Sequence, residues 1–306
     1  MTVTEAAVVE SGGAPFTLSQ VELAEPQAGE VLVRMVAAGL CHTDLGVASG
    51  GLPFPWPGVL GHEGAGVVEE VGAGVTRVKP GDQVLLSFTS CGACRNCRDG
   101  HPAYCATWLP DNLIGGRRAD GSATITRDGE PLGGHFFGQS SFARMAVVDE
   151  RSLLKVSPDA PLELLAPLGC GVITGFGTVW NVLRPQPGST LAVFGTGAVG
   201  LSALMAAAQL PLGAVVPIDS APGRPPPAPP PPPTTARMPA PAEAQDRSGP
   251  ASETTRAMSG GRRLSASGQN GSTSVPSSRS MGETERWATS LSEHAGASSA
   301  GKAGSP

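Results

Sequence analysis

The sequence predicts an α/β protein in three parts. A β-barrel-like domain spans residues 1–160, the opening of a doubly wound parallel sheet spans 161–220, and a disordered tail spans 221–306. Three observations predict this. Short alternating strands separated by Gly- and Pro-containing turns run to about Val148. A buried strand then enters a glycine-rich turn and an apolar helix between Thr190 and Leu210. Near Ser220 the composition changes abruptly.

Along the chain, Glu30–Ala38 (EVLVRMVAA), Gly64–Val71 (GAGVVEEV), Asp82–Phe88 and Ser141–Val148 read as strands. Pro80-Gly81 supplies the turn between the second and third. Pro161–Leu168 and Gly171–Leu183 read as helical. Thr190–Phe194 is a buried strand, Ala198–Leu210 an apolar helix stopped at Pro211, and Ala214–Ile218 a second short strand. Pro217 inside that last strand is a poor fit for a central position. Ser189–Ile218 is uncharged and long enough to span a bilayer, but its internal glycines and Pro211 make strand, turn and helix the better reading.

The chain has 306 residues, a net charge of −5 and a pI near 5.6, which argues against nucleic acid as a partner. Met1–Gly13 has neither the basic nor the apolar region of a secretory signal, so a cytoplasmic protein with reduced cysteines is expected. The tail differs from the rest. It carries nine Lys/Arg against six Asp/Glu, whereas the first 220 residues carry 12 against 20. Its large apolar residues are Leu264, Val275, Trp287, Leu291 and three methionines, too few to offset an ordering cost of roughly 1–2 kcal/mol per residue. Pro225–Pro233 reads as polyproline II or disorder, and a ligand for Pro-binding domains is the functional alternative.

The cysteines fall into two groups. Cys91, Cys94, Cys97 and Cys105 are close enough in sequence to surround one soft cation. Four thiolates around Zn²⁺ close its shell, so this site should staple a loop; an iron–sulfur cluster or free thiols are the alternatives. Cys41 and Cys170 gain interest beside His62. Two thiolates, one imidazole and an open fourth position make a catalytic zinc site, and alcohol dehydrogenase is the standard example of that donor set. A lone His followed by Glu63 would ordinarily be structural.

Gly195-Thr196-Gly197-Ala198-Val199-Gly200 follows a strand and opens a helix, and Asp219 stands nineteen residues past Gly200. In such a pattern Gly195 makes the tight turn, Gly197 lets the backbone approach a pyrophosphate, and Gly200 allows close helix packing. Asp219 would bond a ribose diol and repel a 2′-phosphate, which favours NAD over NADP.

With these motifs in hand, the chain resembles the zinc-dependent medium-chain alcohol dehydrogenases, most of all the aryl-alcohol branch. The resemblance rests on Cys41-His42-Thr43-Asp44, Gly61-His62-Glu63-Gly64-Ala65-Gly66, the four-cysteine lobe, the run from His135 to Phe142 (HFFGQSSF), Cys170–Gly177 and the glycine fingerprint. It covers residues 1 to about 220. It implies a GroES-like catalytic domain followed by a Rossmann-type coenzyme domain, two zinc ions per chain, NAD, and a small alcohol or aldehyde as partner. Cys41, His62 and Cys170 resemble the catalytic zinc ligands, with Glu63 behind them and Asp44 orienting His62. Thr43 resembles the hydroxyl that takes the alcohol proton. His42 resembles a pyrophosphate contact and Thr174 a nicotinamide contact. Leu52, Trp56 and Phe88 fall where the family lines its substrate pocket. The thiol-adduct formaldehyde dehydrogenases share the zinc motifs and form the rival branch.

Two departures stand out. Gly46 occupies the position where many members carry a histidine that finishes the proton relay. The resemblance also stops soon after Asp219. An incomplete coenzyme domain with weak or absent NAD binding is therefore expected, together with loss of the surface through which family homo-oligomers pair. A truncated or frameshifted gene, leaving an inactive zinc-binding relic, is the alternative to a working enzyme.

Overall fold

The computed structural model describes residues 1–221. The expected tail from residue 222 onward, with its Pro-rich run, lies outside the described residues. The chain divides into two compact units, one running from Met1 to Thr174 and the other starting at Gly175.

In the first unit, β-branched and apolar runs build β1 (Thr2–Val9), β2 (Phe16–Leu23) and β3 (Glu30–Ala38), with the end of β1 and the start of β3 buried on both faces. After β3 come α1 (His42–Ala48), β4 (Gly58–Val59), β5 (Gly64–Val71) and β6 (Gln83–Leu86). The chain continues through α2 (Arg95–Arg98), β7 (Ile125–Arg127), β8 (Glu130–Pro131), β9 (Met145–Asp149), β10 (Leu153–Lys155) and α3 (Leu162–Leu165). The strands form two five-stranded antiparallel sheets, ordered β4-β1-β2-β7-β8 and β10-β6-β5-β3-β9. The main core lies between them: Val8, Val21 and Leu23 from one sheet meet Leu32 and Val147 from the other, with Leu60, Phe136 and Phe142 filling the space. Val31 and Val33 point the opposite way from Leu32, into a second cluster with Val68, Val84 and Val148. Both faces of β3 are thus covered at its start. Gly66 on β5 is required by close approach, because a Cβ there would overlap the Arg34 carbonyl of β3.

Two expected strands are shorter than their sequence patterns, for identifiable reasons. Asp82 is engaged in the turn before β6, where its carboxylate accepts from the Lys79 N–H at 3.0 Å. Ser141 and Phe142 leave the β9 ladder, and their N–H groups donate instead to the carbonyls of Gly61 and Leu60. That detour clamps the loop carrying His62.

His135, at the start of the same run, is buried, and its Nδ1 has no hydrogen-bond partner among the described residues. Burial lowers its pKa below the ordinary histidine value; Arg118 acts the same way, while Glu30, Asp111 and Asp149 act in the opposite direction. The unfolded chain therefore takes up this proton, near pH 6.5, before the folded chain does. Stability should fall as pH drops below about 6.5 and be insensitive to this group above it. Urea midpoints at pH 7.5 and 5.5 should differ less in His135→Gln than in the parent; an equal difference would remove His135 as the cause.

The second unit begins within α4 (Gly171–Gly177), which passes into wider π-type turns over Thr178–Leu183 and ends at Arg184 with φ of 44°. β11 (Thr190–Phe194), α5 (Ala198–Ala207) and β12 (Ala214–Ile218) follow, and the two strands pair in parallel. Val179, Ala203 and Ala206 form the small core, with Phe176, Leu191, Val193 and Leu210 against it. Pro217 is accommodated because the Ile218 carbonyl faces β11, accepting from the Gly195 N–H. The Pro217 nitrogen then faces the opposite edge, where no ladder bond is lost among the described residues. No single described helix is long and apolar enough to cross a membrane.

Candidate metal and coenzyme centres

Cys41 precedes α1, and Asp44 lies in that helix's first turn, with its side chain fully buried. Asp44 is satisfied three times. Its Oδ2 accepts from the Cys41 N–H at 2.9 Å, and its Oδ1 accepts from the Gly61 N–H and meets His62 Nδ1, each at 3.0 Å. Gly61 holds φ of +92°, and a Cβ there would collide with Phe142, so the turn that aims His62 needs glycine. The His62 ring is stacked on Phe137 (centroids 4.5 Å apart) and met edge-on by Phe136 at 5.4 Å. Gln139 completes the clamp, donating to the His62 and Ser87 carbonyls and accepting from the Gly64 N–H.

With Nδ1 committed to Asp44, the other ring nitrogen of His62, Nε2, is buried without a partner among the described residues. Ligand atoms of Cys41, His62, Glu63 and Cys170 all lie within 4.8 Å of one another. Hydrogen bonding from Cys170 and the neighbouring His62 hold the Cys41 thiol down to about 3 against the effect of burial. The bond shared with Cys41, together with burial, pushes Cys170 up. Burial opposes charge on His62, but Asp44 and Cys41 hold its pKa up at about 10. Burial raises Glu63 to about 7, partly offset by the Gly171 N–H that donates to its Oε1 at 3.0 Å. Gly39 leaves the room Glu63 occupies, since a Cβ there would overlap Glu63 Oε2. An anionic sulfur, a second sulfur and an oriented imidazole with an orphaned nitrogen are a donor set that fits zinc.

The second thiol group also fits zinc. Cys91, Cys94, Cys97 and Cys105 bring their sulfurs within 4.8 Å of one another, and the Cys91 and Cys94 N–H groups each donate to a sulfur at 3.3 Å. Such N–H···S bonds stabilise thiolates.

Of the other expected site residues, Thr43 Oγ1 lies 3.7 Å from the Cys41 sulfur, and His42 beside it is exposed. Thr174 donates to the Cys170 carbonyl at 2.8 Å. Phe88 is tilted against Trp108 at 6.4 Å, whereas Trp56 packs edge-on to Phe54 at the margin of the main core and Leu52 is exposed. The sequence reading missed Trp108 and Phe137. Trp108 meets Phe137 at 5.6 Å, so Phe88, Trp108, Phe137 and His62 form a continuous run of ring contacts. The adjacent aromatics of HFFG were the available signal, but side-chain pattern alone could not show that Phe137 takes a positive φ of 49° and turns onto His62.

In the second unit, Gly195 turns with φ of +89° and Gly197 caps α5. A Cβ on Gly200 would overlap the Gly195 carbonyl, so the helix sits directly against the turn. Asp219 Oδ2 accepts from both the N–H and the hydroxyl of Thr196 at 2.7 Å, and its Oδ1 accepts from the Ala221 N–H at 2.8 Å. The turn, the helix start and the carboxylate fit the adenosine half of a dinucleotide.

Two thiols with an oriented imidazole, and a separate group of four thiols, form two candidate zinc centres on the unit built from paired antiparallel sheets. Comparison with known proteins makes the class specific. Residues 27–158 match the alcohol dehydrogenase GroES-like domain. Geraniol dehydrogenase of Castellaniella defragrans is 50% identical over 215 residues, which are 70% of this chain and 57% of that protein. S-(hydroxymethyl)glutathione dehydrogenase of Escherichia coli is 43% identical over 221 residues, 72% of this chain and 59% of that one. The benzyl alcohol dehydrogenase structure from Acinetobacter calcoaceticus superposes with a TM-score of 0.67 at 42% identity, covering 71% and 58% of the two chains. Residues 27–158 thus belong to the alcohol dehydrogenase GroES-like domain family, and over about 70% of its length the chain is similar to zinc-type medium-chain alcohol dehydrogenases. It spans less than two thirds of the length of these relatives.

Proposed function

We propose that the chain oxidises a primary aryl alcohol to the aldehyde and delivers the hydride to NAD. The observation that carries this reading is the buried Nε2 of His62, without a hydrogen-bond partner among the described residues, grouped with the Cys41 and Cys170 sulfurs and fixed from behind by Asp44. Cys41, His62 and Cys170 would hold one zinc, and the four-cysteine lobe a second. When bound at the first site, zinc supplies Lewis acidity to the alcohol oxygen. Thr43 Oγ1, beside the Cys41 sulfur, accepts the alcohol proton, and exposed His42 releases it to solvent in place of the relay side chain absent at Gly46. Glu63 stays buried behind the donor set on the Gly171 N–H. Phe88, Trp108 and Phe137 supply flat apolar surface suited to an aryl group. Asp219 selects NAD by accepting ribose hydroxyls and repelling a 2′-phosphate.

The family's thiol-adduct branch offers a second reading, supported by the 43% identity to S-(hydroxymethyl)glutathione dehydrogenase. NADH formation by the zinc-loaded full chain should be followed with benzyl alcohol and with S-(hydroxymethyl)glutathione. Benzyl alcohol should be the faster substrate. Cys41→Ala should lower the rate by roughly 10³-fold or more, the several kcal/mol a Lewis acid contributes. Faster turnover of the adduct would move the chain to the other branch. No turnover from a chain holding two zinc ions would leave the relic reading in its place.

A further inference from the structure

The Thr196–Asp219 contact joins the glycine turn to the residue that would read the ribose. β11 ends at Phe194 and β12 at Ile218, so Thr196 and Asp219 sit just past two adjacent strand ends. The backbones are tied there by Gly195 N–H to the Ile218 carbonyl at 2.7 Å. That bond alone would join the strands. Thr196 adds two more, both to the same carboxylate oxygen and both at 2.7 Å. Thr196 is 6% exposed, so its hydroxyl is spent on Asp219 in a largely dry position. The Ala221 N–H fixes the other oxygen. An aspartate past a strand end would otherwise sample several rotamers, at an ordering cost on binding. A carboxylate offers about four acceptor positions. At least three are used here by the chain's own donors, which hold the group still at the ends of the two strands.

We propose that Thr196 is a specificity-positioning residue, whose hydroxyl locks Asp219 against the glycine turn and so sets the preference for an unphosphorylated adenosine ribose. The proposal rests on the coenzyme reading above, but only on its adenosine half. It makes no use of the zinc centre or of the alcohol.

The test is equilibrium binding of ADP-ribose and 2′-phospho-ADP-ribose to the zinc-loaded full chain, by calorimetry, for the parent, Thr196→Val and Thr196→Ser. The valine keeps the shape and removes the donor; the serine restores it. In the parent, ADP-ribose should bind more tightly. Thr196→Val should weaken ADP-ribose by ~10-fold, the typical value of a hydrogen bond to a charged group, while 2′-phospho-ADP-ribose changes little. The ratio between the probes should therefore narrow, and Thr196→Ser should return it to the parent value. A merely structural Thr196 would give a different pattern: both probes would weaken together, the ratio would hold, and the melting temperature would drop. That pattern, an unchanged ratio in a stable valine variant, or a parent that binds neither probe would each overturn the proposal. Failure of the dehydrogenase reading shows elsewhere, as absent alcohol turnover in a chain that still discriminates the two probes.

Discussion

Asp44→Ala is expected to remove about 3–9 kcal/mol of folding stability and to weaken zinc binding at the Cys41–His62–Cys170 centre by about 10- to 100-fold. The carboxylate has no side-chain exposure, and three donors converge on it: the Cys41 N–H, the Gly61 N–H and His62 Nδ1. Alanine leaves all three without an acceptor in a space closed by Phe136 and Phe137, and each such group costs about 1–3 kcal/mol. The metal effect has a separate origin. Asp44 fixes which ring nitrogen carries the proton and where the other one points, so its loss frees the ring as well as the backbone. Asp44→Asn should be milder, because its carbonyl still accepts while its amide faces one former donor. Urea unfolding and competition with a chromophoric zinc chelator measure the two effects independently. An alanine variant with the parent's midpoint and zinc affinity would show that Asp44 does not organise this centre.

The grouping of the candidate ligands was legible in the sequence, for the four-cysteine lobe because it depends on residue type and spacing. Cys91-x2-Cys94-x2-Cys97-x7-Cys105 brings four sulfurs onto one short stretch, and the structure groups the same four. Strands β3 and β5 were legible to the residue, since each combines a hydrophobic pattern with a turn signal at its ends. The misses share a cause. Ser141–Val148 reads as one strand, yet the Ser141 and Phe142 N–H groups donate to the Gly61 and Leu60 carbonyls, which are remote in sequence. Phe137 and Ser140 take positive φ, a choice imposed by that tertiary contact and opposed by local propensity. The Trp108–Phe137 contact was illegible for the same reason, whereas Trp56, an aromatic in a plausible position, packs against Phe54.

The four-cysteine lobe has little besides its sulfurs to hold it, and this sets the second large effect. α2 is four residues long, too short to be stable alone, and Arg95, Asn96, Arg98 and Asp99 around it are exposed. Tyr104 is 71% exposed and meets the exposed His101 ring edge-on at 6.4 Å, so the lobe's one tyrosine buries little. Arg151 reaches the Cys91 carbonyl at 2.6 Å, but a single exposed bond cannot offset the ordering of some fifteen residues. A structural zinc site of this kind contributes about 10–16 kcal/mol in small peptides. Cys97→Ser should therefore reduce bound zinc from two per chain to one and open the lobe locally. Trypsin cleavage after Arg95 and Arg98 should accelerate by ~100-fold or more, since only a few kcal/mol of lost local stability are needed for that. Cys170→Ser is the matched control. It should also lose one zinc, from the other centre, while the lobe stays resistant, because Glu63, His62 and Asp44 stand in a core with many other contacts. Mass spectrometry of the fragments and of native zinc content reads both results in one experiment. Equal cleavage in the two variants would mean that packing holds the lobe; two zinc ions retained in Cys97→Ser would mean that the four sulfurs do not act as one ligand set.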